Sequence, residues 1–235
     1  MKNVHNMMLF PTNITHVEHE VRQKEQDHWF DLYLKHSNED GRTHDLLGYE
    51  QVQLEPSLDG FFRYKVMPSV REYFKTLSID PNKFDIHVTK TFFNVVDDNG
   101  INKHNHEENH ISFTYYPYIK KGKERNIILY DTKRRHANEP HENWFAYHVN
   151  EWNVRNATNF SIPVCQGSML IFPSDLEHNL EKDASETTVI NSFKTKEDLL
   201  ESRFCVAGDM IITKKKEEKV YHRTLSSPEN WKTFS

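Results

Sequence analysis

Residues 103–116 of the chain, KHNHEENHISFTYY, join a histidine-rich segment to an apolar, aromatic strand. β-Branched and aromatic residues from Ile111 onward are typical of a strand that packs in a sheet. Residues 167–178, GSMLIFPSDLEH, again run from an apolar strand, through the corner Pro-Ser-Asp, to a histidine. These two segments together determine what the sequence predicts about fold and chemistry.

The histidines and the acidic residue of these segments suit a metal site. Non-haem iron(II) is typically held by two histidines and one carboxylate on one face of the metal, with the other positions open for substrate or oxygen. We therefore predict that His106, Glu108 and His178 bind Fe(II). Residues i and i+2 of a strand point the same way, which would place His106 and Glu108 on one face.

His104 lies on the same predicted face as His106, so a second ligand set stays open. His104, His106 and His178 would form a three-histidine site like that of a cupin. The local pattern does not choose between the two sets. The chain has 15 histidines, so a His-x-His pair alone is a weak signal. The distal segment that ends at His178 is the more informative half of the site.

Composition predicts one globular domain. The chain has 235 residues, which suits a single domain with a substantial core, and 15 Phe, 10 Tyr and 4 Trp supply bulky core material. The net charge is −5 and no broad basic stripe is visible, which argues against a nucleic-acid partner. The expected partner is a small molecule or a peptide, and the sequence does not give the oligomeric state.

Cysteine usage and hydropathy favour a cytoplasmic protein. The two cysteines, Cys165 and Cys205, form no CxxC pair, which excludes a zinc ribbon, and two thiols do not make a disulfide framework. No run approaches the roughly 20 apolar residues of a membrane span, so no membrane association is expected.

The order of the predicted elements favours an antiparallel fold. Two helices, at about Glu18–Lys35 and Pro68–Leu77, are followed by about eight short strands. Strands that follow one another without crossover helices are typical of an antiparallel sandwich or barrel, and a jelly roll is the natural member of that class. We predict one domain over residues 1–235. Its parts are a helical support at about 18–80, a jelly-roll core at about 84–195 and a C-terminal extension at 196–235.

Five segments, in order, resemble a known family. The iron(II)/2-oxoglutarate-dependent oxygenases common in marine bacteria and their phages are related to prolyl hydroxylases and have a double-stranded β-helix, or jelly-roll, core. The chain is similar to them over about residues 9–195, and residues 167–178 are the most specific part. The matching segments are Leu9–Thr12, Phe92–Val95, the His104–Tyr116 stretch with its His-x-His, Gly167–His178 and Val189–Phe193.

The resemblance implies cofactors and further site residues. It favours His106 over His104 as the first metal ligand and places Glu108 where related enzymes carry an acid. It implies that Tyr116 contacts 2-oxoglutarate, with Asn94 as a weaker co-substrate candidate. The implied activity is Fe(II)- and 2-oxoglutarate-dependent hydroxylation of a C–H bond in a prolyl, peptidyl or amino-acid-like substrate. For family members carried by phages, the expected location is the cytoplasm of the infected bacterium.

One departure from the family concerns the co-substrate. The family carries an arginine about ten residues after the distal histidine, and its bidentate pairing with the distal carboxylate of 2-oxoglutarate is a strong anchor. Here Thr188 stands near that place, and no arginine occurs between His178 and Arg203. Lys90 or Arg125, from other strands, are candidate replacements.

The missing arginine keeps two other functions open. One is a cupin-like metalloenzyme that does not use 2-oxoglutarate, with His104 among its ligands. The other is a non-catalytic jelly-roll binding module. The long predicted loop 131–159 carries Trp144, Tyr147 and Trp152, and loops at the rim of a rigid fold usually set specificity.

Overall fold

Two antiparallel sheets form the framework. The protein is described by a computed structural model covering residues 12–39, 51–96, 101–130, 157, 159–180, 193–219 and 224–233. In these ranges the strands are β1 (Thr15–Glu18), β2 (Phe84–Val96), β3 (Ile101–His104), β4 (Ile111–Ile119), β5 (Ile127–Tyr130), β6 (Asn159–Ile162), β7 (Ser168–Pro173), β8 (His178–Leu180) and β9 (Arg203–Lys214). The larger sheet has the order β1-β7-β4-β9-β2 and the smaller has β3-β8-β5-β6. All pairings between these strands are antiparallel, and the jelly-roll prediction is confirmed.

The helices lie before the first long strand and before the last one. They are α1 (Gln23–Glu39), α2 (Asp59–Phe61), a π-helical turn (Phe62–Val66), α3 (Met67–Thr76) and α4 (Lys196–Leu199), with short 3-10 turns at Val52–Leu54, Pro56–Leu58, Pro81–Lys83 and Pro228–Asn230. Among the residues that the structure describes, no helix is both long and apolar enough to cross a membrane.

Strand β4 shows how the sequence pattern builds two cores. Phe113 and Tyr115 point to one side and pack with Trp29 of α1 and Phe61 of α2. Tyr116, on the opposite face, packs between the sheets in a separate cluster. Because both faces of β4 are covered, the strand is almost wholly buried. A strand in this position carries mainly apolar side chains. The helices therefore cover the outside of the larger sheet, and the space between the sheets is left for a site.

The last described strand belongs to the sheet core. β9 lies between β2 and β4 and pairs with both, from Arg203 to Lys214. The sheet core therefore extends well past the predicted boundary near residue 195, into the segment expected to be an extension. The predicted closing strand at 189–193 lies outside the described residues except for Phe193, which is not in a strand.

Two glycines with similar φ angles provide a test of the turn before β7, which lies beside the end of β1. Gly167 has φ +93° and Gly122 has φ +89°. A Cβ at Gly167 would lie 2.1 Å from the carbonyl oxygen of His19, whereas a Cβ at Gly122 would meet nothing within 4 Å. We expect Gly122→Ala to cost about 1–2 kcal/mol, because side chains disfavour positive φ. Gly167→Ala should cost about 1–3 kcal/mol more, because the clash adds overpacking against backbone.

Urea unfolding, monitored by circular dichroism, measures the free energy of unfolding of both variants. Equal losses for the two variants would contradict the close approach between Gly167 and His19.

Candidate functional site

Three histidines meet at one end of the space between the sheets. His104 ends β3 and is the Cα partner of His178, which begins β8. His106 follows two residues later, after the strand has ended. The two segments that the sequence singled out are therefore neighbours in the smaller sheet.

Backbone hydrogen bonds fix the turn that carries His106. The His106 N–H donates to the carbonyl of Ser174 at 2.7 Å, and the Ser174 N–H donates to the carbonyl of His110 at 3.2 Å. The His110 N–H donates in turn to the carbonyl of Met210 on β9 at 3.0 Å. The turn is thus tied both to the corner before His178 and to the larger sheet, which holds the His106 ring in place.

The three imidazoles are close enough to share one ion. One nitrogen from each of His104, His106 and His178 lies within 4.8 Å of the other two. The ring centroids are 4.3 Å apart for His104 and His178, and 5.3 Å apart for each pair that includes His106. Imidazole nitrogen is a ligand that suits iron.

Hydrogen bonds at Nδ1 of each ring indicate which ring nitrogen is free to bind an ion. Nδ1 of His104 lies 2.7 Å from the carbonyl oxygen of Asn102, and Nδ1 of His178 lies 2.9 Å from that of Leu176. A carbonyl oxygen only accepts, so both Nδ1 atoms carry the proton and both Nε2 atoms keep a free lone pair. Nδ1 of His106 lies 2.6 Å from Oδ1 of Asp209, which gives the same assignment if that carboxyl is ionised.

Burial keeps two of these imidazoles neutral. Burial, together with the nearby His104, lowers the pKa of His178 to about 3. Burial also lowers the pKa of His104, and the neighbouring His106 adds to this effect. A neutral imidazole is the form that binds a metal, so the cluster is ready to bind one at neutral pH. The chemistry of this donor set therefore fits an iron(II) ion.

Glu108 lies apart from the three histidines. The prediction extended a strand through residues 106–108, but β3 ends at His104 and Glu108 lies exposed in the following turn. The alternation rule that paired His106 with Glu108 therefore does not apply here. His104, the open alternative, is the residue that the structure brings to the cluster.

A cavity that includes the three histidines runs between the sheets. Its walls carry two residues that the resemblance implied, Asn94 and Tyr116. Tyr116 is buried, and burial raises the pKa of its hydroxyl to about 12, so the hydroxyl is protonated and can donate a hydrogen bond at neutral pH. The sequence thus located two polar side chains of this cavity.

Arg203, at the start of β9, is a cavity residue that the sequence analysis passed over. Its side chain is 2% exposed, and its guanidinium carbon lies 4.5 Å from the centroid of the Tyr116 ring. Nε and Nη2 are buried and have no hydrogen-bond partner among the described residues. A buried guanidinium with unmet donors, facing a cavity, is a site for an anion with a carboxylate-like shape.

The other co-substrate candidates lie elsewhere. Thr188 is outside the described residues. Neither Lys90 nor Arg125 is among the described residues that line the cavity. The strand alternation that places Arg203, Cys205 and Ala207 on the inner face would have identified Arg203 in the sequence, had β9 been recognised as part of the sheet.

Several solved structures share the fold of this chain. The chain resembles SnoK, a non-haem α-ketoglutarate-dependent carbocyclase from nogalamycin biosynthesis, with TM-score 0.53 and 10% identity over 86% of this chain and 82% of that one. It resembles HygX from Streptomyces hygroscopicus, solved with nickel and 2-oxoglutarate, with TM-score 0.51 and 11% identity over 85% and 82%. It also resembles EctD from S. alaskensis, solved with 2-oxoglutarate and 5-hydroxyectoine, with TM-score 0.51 and 8% identity over 85% of this chain and 72% of that one. At such identities the likeness shows the fold.

The class of protein follows from a sequence match to the segment that carries the site. Residues 92–193 match the family described as "Putative 2OG-Fe(II) oxygenase", and this segment includes His104, His106, His178 and Tyr116. Over residues 92–193 the chain is therefore similar in sequence to the iron(II)- and 2-oxoglutarate-dependent oxygenases, as the resemblance implied. No curated protein matches the chain.

Proposed function

We propose that the protein is a hydroxylase in which His104, His106 and His178 hold iron(II) and Arg203 anchors 2-oxoglutarate. One observation supports this more than any other. A single cavity has three metal-ready imidazoles at one end and also contains a buried guanidinium with unmet donors. 2-Oxoglutarate combines a keto acid, which chelates a metal, with a distant carboxylate, which pairs with arginine. The cavity offers a partner for each.

The anchor would involve more than one side chain. The Arg203 guanidinium donates to the distal carboxylate of 2-oxoglutarate, and the protonated Tyr116 hydroxyl donates beside it. The buried Thr114 hydroxyl also lines the cavity. Charge-assisted bonds of this kind are the stronger ones, and the apolar walls exclude competing water.

The three imidazoles define what remains open on the metal. They would hold the ion through Nε2, and the site would then have room for the keto acid and oxygen. With these groups bound, the site supplies oxygen activation, in which 2-oxoglutarate becomes succinate and carbon dioxide and a substrate C–H becomes C–OH.

The family acts on small molecules or peptides, and we propose a prolyl, peptidyl or amino-acid-like substrate for this protein. The proposal depends on the resemblance to prolyl hydroxylases. The loop 131–159, which is expected to contact the substrate, falls almost wholly outside the described residues.

The three-histidine cluster also favours a second candidate. An iron site without a carboxylate ligand, as in cupins, can act on a substrate without 2-oxoglutarate. The unmet Nε and Nη2 donors of Arg203 argue for the first candidate, because a site without 2-oxoglutarate has no evident need for them.

Anaerobic titration of the Fe(II) protein with 2-oxoglutarate separates the two candidates. We expect a weak visible charge-transfer band in the wild type and, on admission of oxygen, slow conversion of 2-oxoglutarate to succinate. His178→Ala should abolish the band. Iron bound with no band and no succinate would favour the second candidate.

A further inference from the structure

Asp209 is a buried acid directly behind one of the proposed iron ligands. It lies on β9, its side chain is 1% exposed, and its Oδ1 is 2.6 Å from Nδ1 of His106. The same oxygen accepts a hydrogen bond from the hydroxyl of Ser112 at 2.7 Å, and that hydroxyl lies 2.8 Å from the hydroxyl of Ser174. The carboxylate is thus held in one orientation, facing the back of the His106 ring.

The other carboxylate oxygen is unsatisfied. Oδ2 of Asp209 is buried with no hydrogen-bond partner among the described residues. A buried carboxylate with an unpaired oxygen is costly unless positive charge lies nearby. The proposed site would bring a doubly charged ion to the other side of the His106 ring, while its three imidazoles contribute no negative charge.

We propose that Asp209 is a positioning residue for iron binding. It fixes the His106 tautomer with Nε2 toward the metal, and it supplies from behind this ring the negative charge that a carboxylate ligand would supply directly. The proposal rests on the proposed function, since it requires His106 to be a ligand. Outer carboxylates that hold metal-binding histidines in this way raise ligand basicity, and losing one typically costs 10–100-fold in metal affinity.

Asp209→Asn tests the charge with little change in shape. An asparagine can accept through its amide oxygen or, turned over, donate to Nδ1 and favour the wrong tautomer. We expect the affinity for Co(II), measured by competition with a chelating dye, to fall about 10–100-fold. The charge-transfer band of the Fe(II)–2-oxoglutarate complex should also shift in energy. Glu107→Gln is the matched control, because it removes an exposed acid adjacent to His106 and should change neither reading.

The outcomes separate this inference from the proposed function. A wild type that binds no Co(II) contradicts the proposed function itself. If the wild type binds Co(II) and Asp209→Asn binds it with equal affinity and an unshifted charge-transfer band, the proposed role of Asp209 is overturned. A variant that loses thermal stability but keeps its affinity and band assigns Asp209 a structural role only, which also overturns the proposal.

A measurement on the wild type covers the case in which the variant does not fold. In Zn(II)-loaded protein with ¹⁵N-labelled histidine, the His106 ring should carry a slowly exchanging Nδ1 proton and bind zinc through Nε2. Loss of the signal in His106→Gln would identify the ring. Zinc bound through Nδ1 of His106 would overturn the proposal.

Discussion

Arg203→Ala is expected to raise the KM for 2-oxoglutarate at least about 30-fold, since breaking a buried charge pair costs about 2–5 kcal/mol. Arg203→Lys should recover little of this loss, because an ammonium lacks the planar fork that matches a carboxylate. Affinity for Co(II) should stay within about twofold in both variants. Succinate formation at varied 2-oxoglutarate, together with calorimetric binding to the Co(II) form, provides the measurements.

Arg125→Ala is the matched control for Arg203. It removes the arginine that the sequence offered as a replacement anchor, and that arginine is not among the residues described as lining the cavity. We expect the KM of Arg125→Ala for 2-oxoglutarate to equal that of the wild type. A large loss in Arg125→Ala with none in Arg203→Ala would move the anchor to the site that the sequence suggested.

His104→Ala is expected to lower the affinity for Co(II) at least about 100-fold, more than the loss of an outer partner typically costs. The reason is that one of the three proposed ligands disappears, and the described residues bring no fourth His, Cys, Asp or Glu ligand atom into the cluster. Glu108→Gln should bind Co(II) within about twofold of the wild type, because this acid is exposed in the turn. Competition with a chelating dye measures both affinities.

His16→Ala is a control for the general effect of losing a histidine, since His16 lies on β1 and is not among the described residues that line the cavity. If Glu108→Gln lost the metal while His104→Ala kept it, the ligand set predicted from the alternation of a strand would be correct.

Local pattern was sufficient for much of the fold. β4 and β7 follow from runs of β-branched and aromatic residues bounded by polar turns, and the jelly roll follows from their order along the chain. His178 was located because it follows a strand and a corner of recognisable composition. These features depend on neighbours in sequence, which a single chain displays directly.

The misplaced features depend on where a strand stops and on which strands become neighbours. The prediction for Glu108 assumed that a strand continued past His104, and no local signal marks the point where the turn begins. Arg203 and Asp209 were missed because sheet position is decided by pairing between distant segments. β9 takes the place between β2 and β4, and from that place both of these charged side chains point into the site.

A crystal structure of the protein grown without oxygen, with Mn(II) as an inert substitute for iron(II) and with 2-oxoglutarate, tests the central claim most directly. We expect the ion to be bound by Nε2 of His104, His106 and His178, and the distal carboxylate of 2-oxoglutarate to lie on the guanidinium of Arg203. An ion held by Glu108, or a 2-oxoglutarate that does not reach Arg203, would contradict this site.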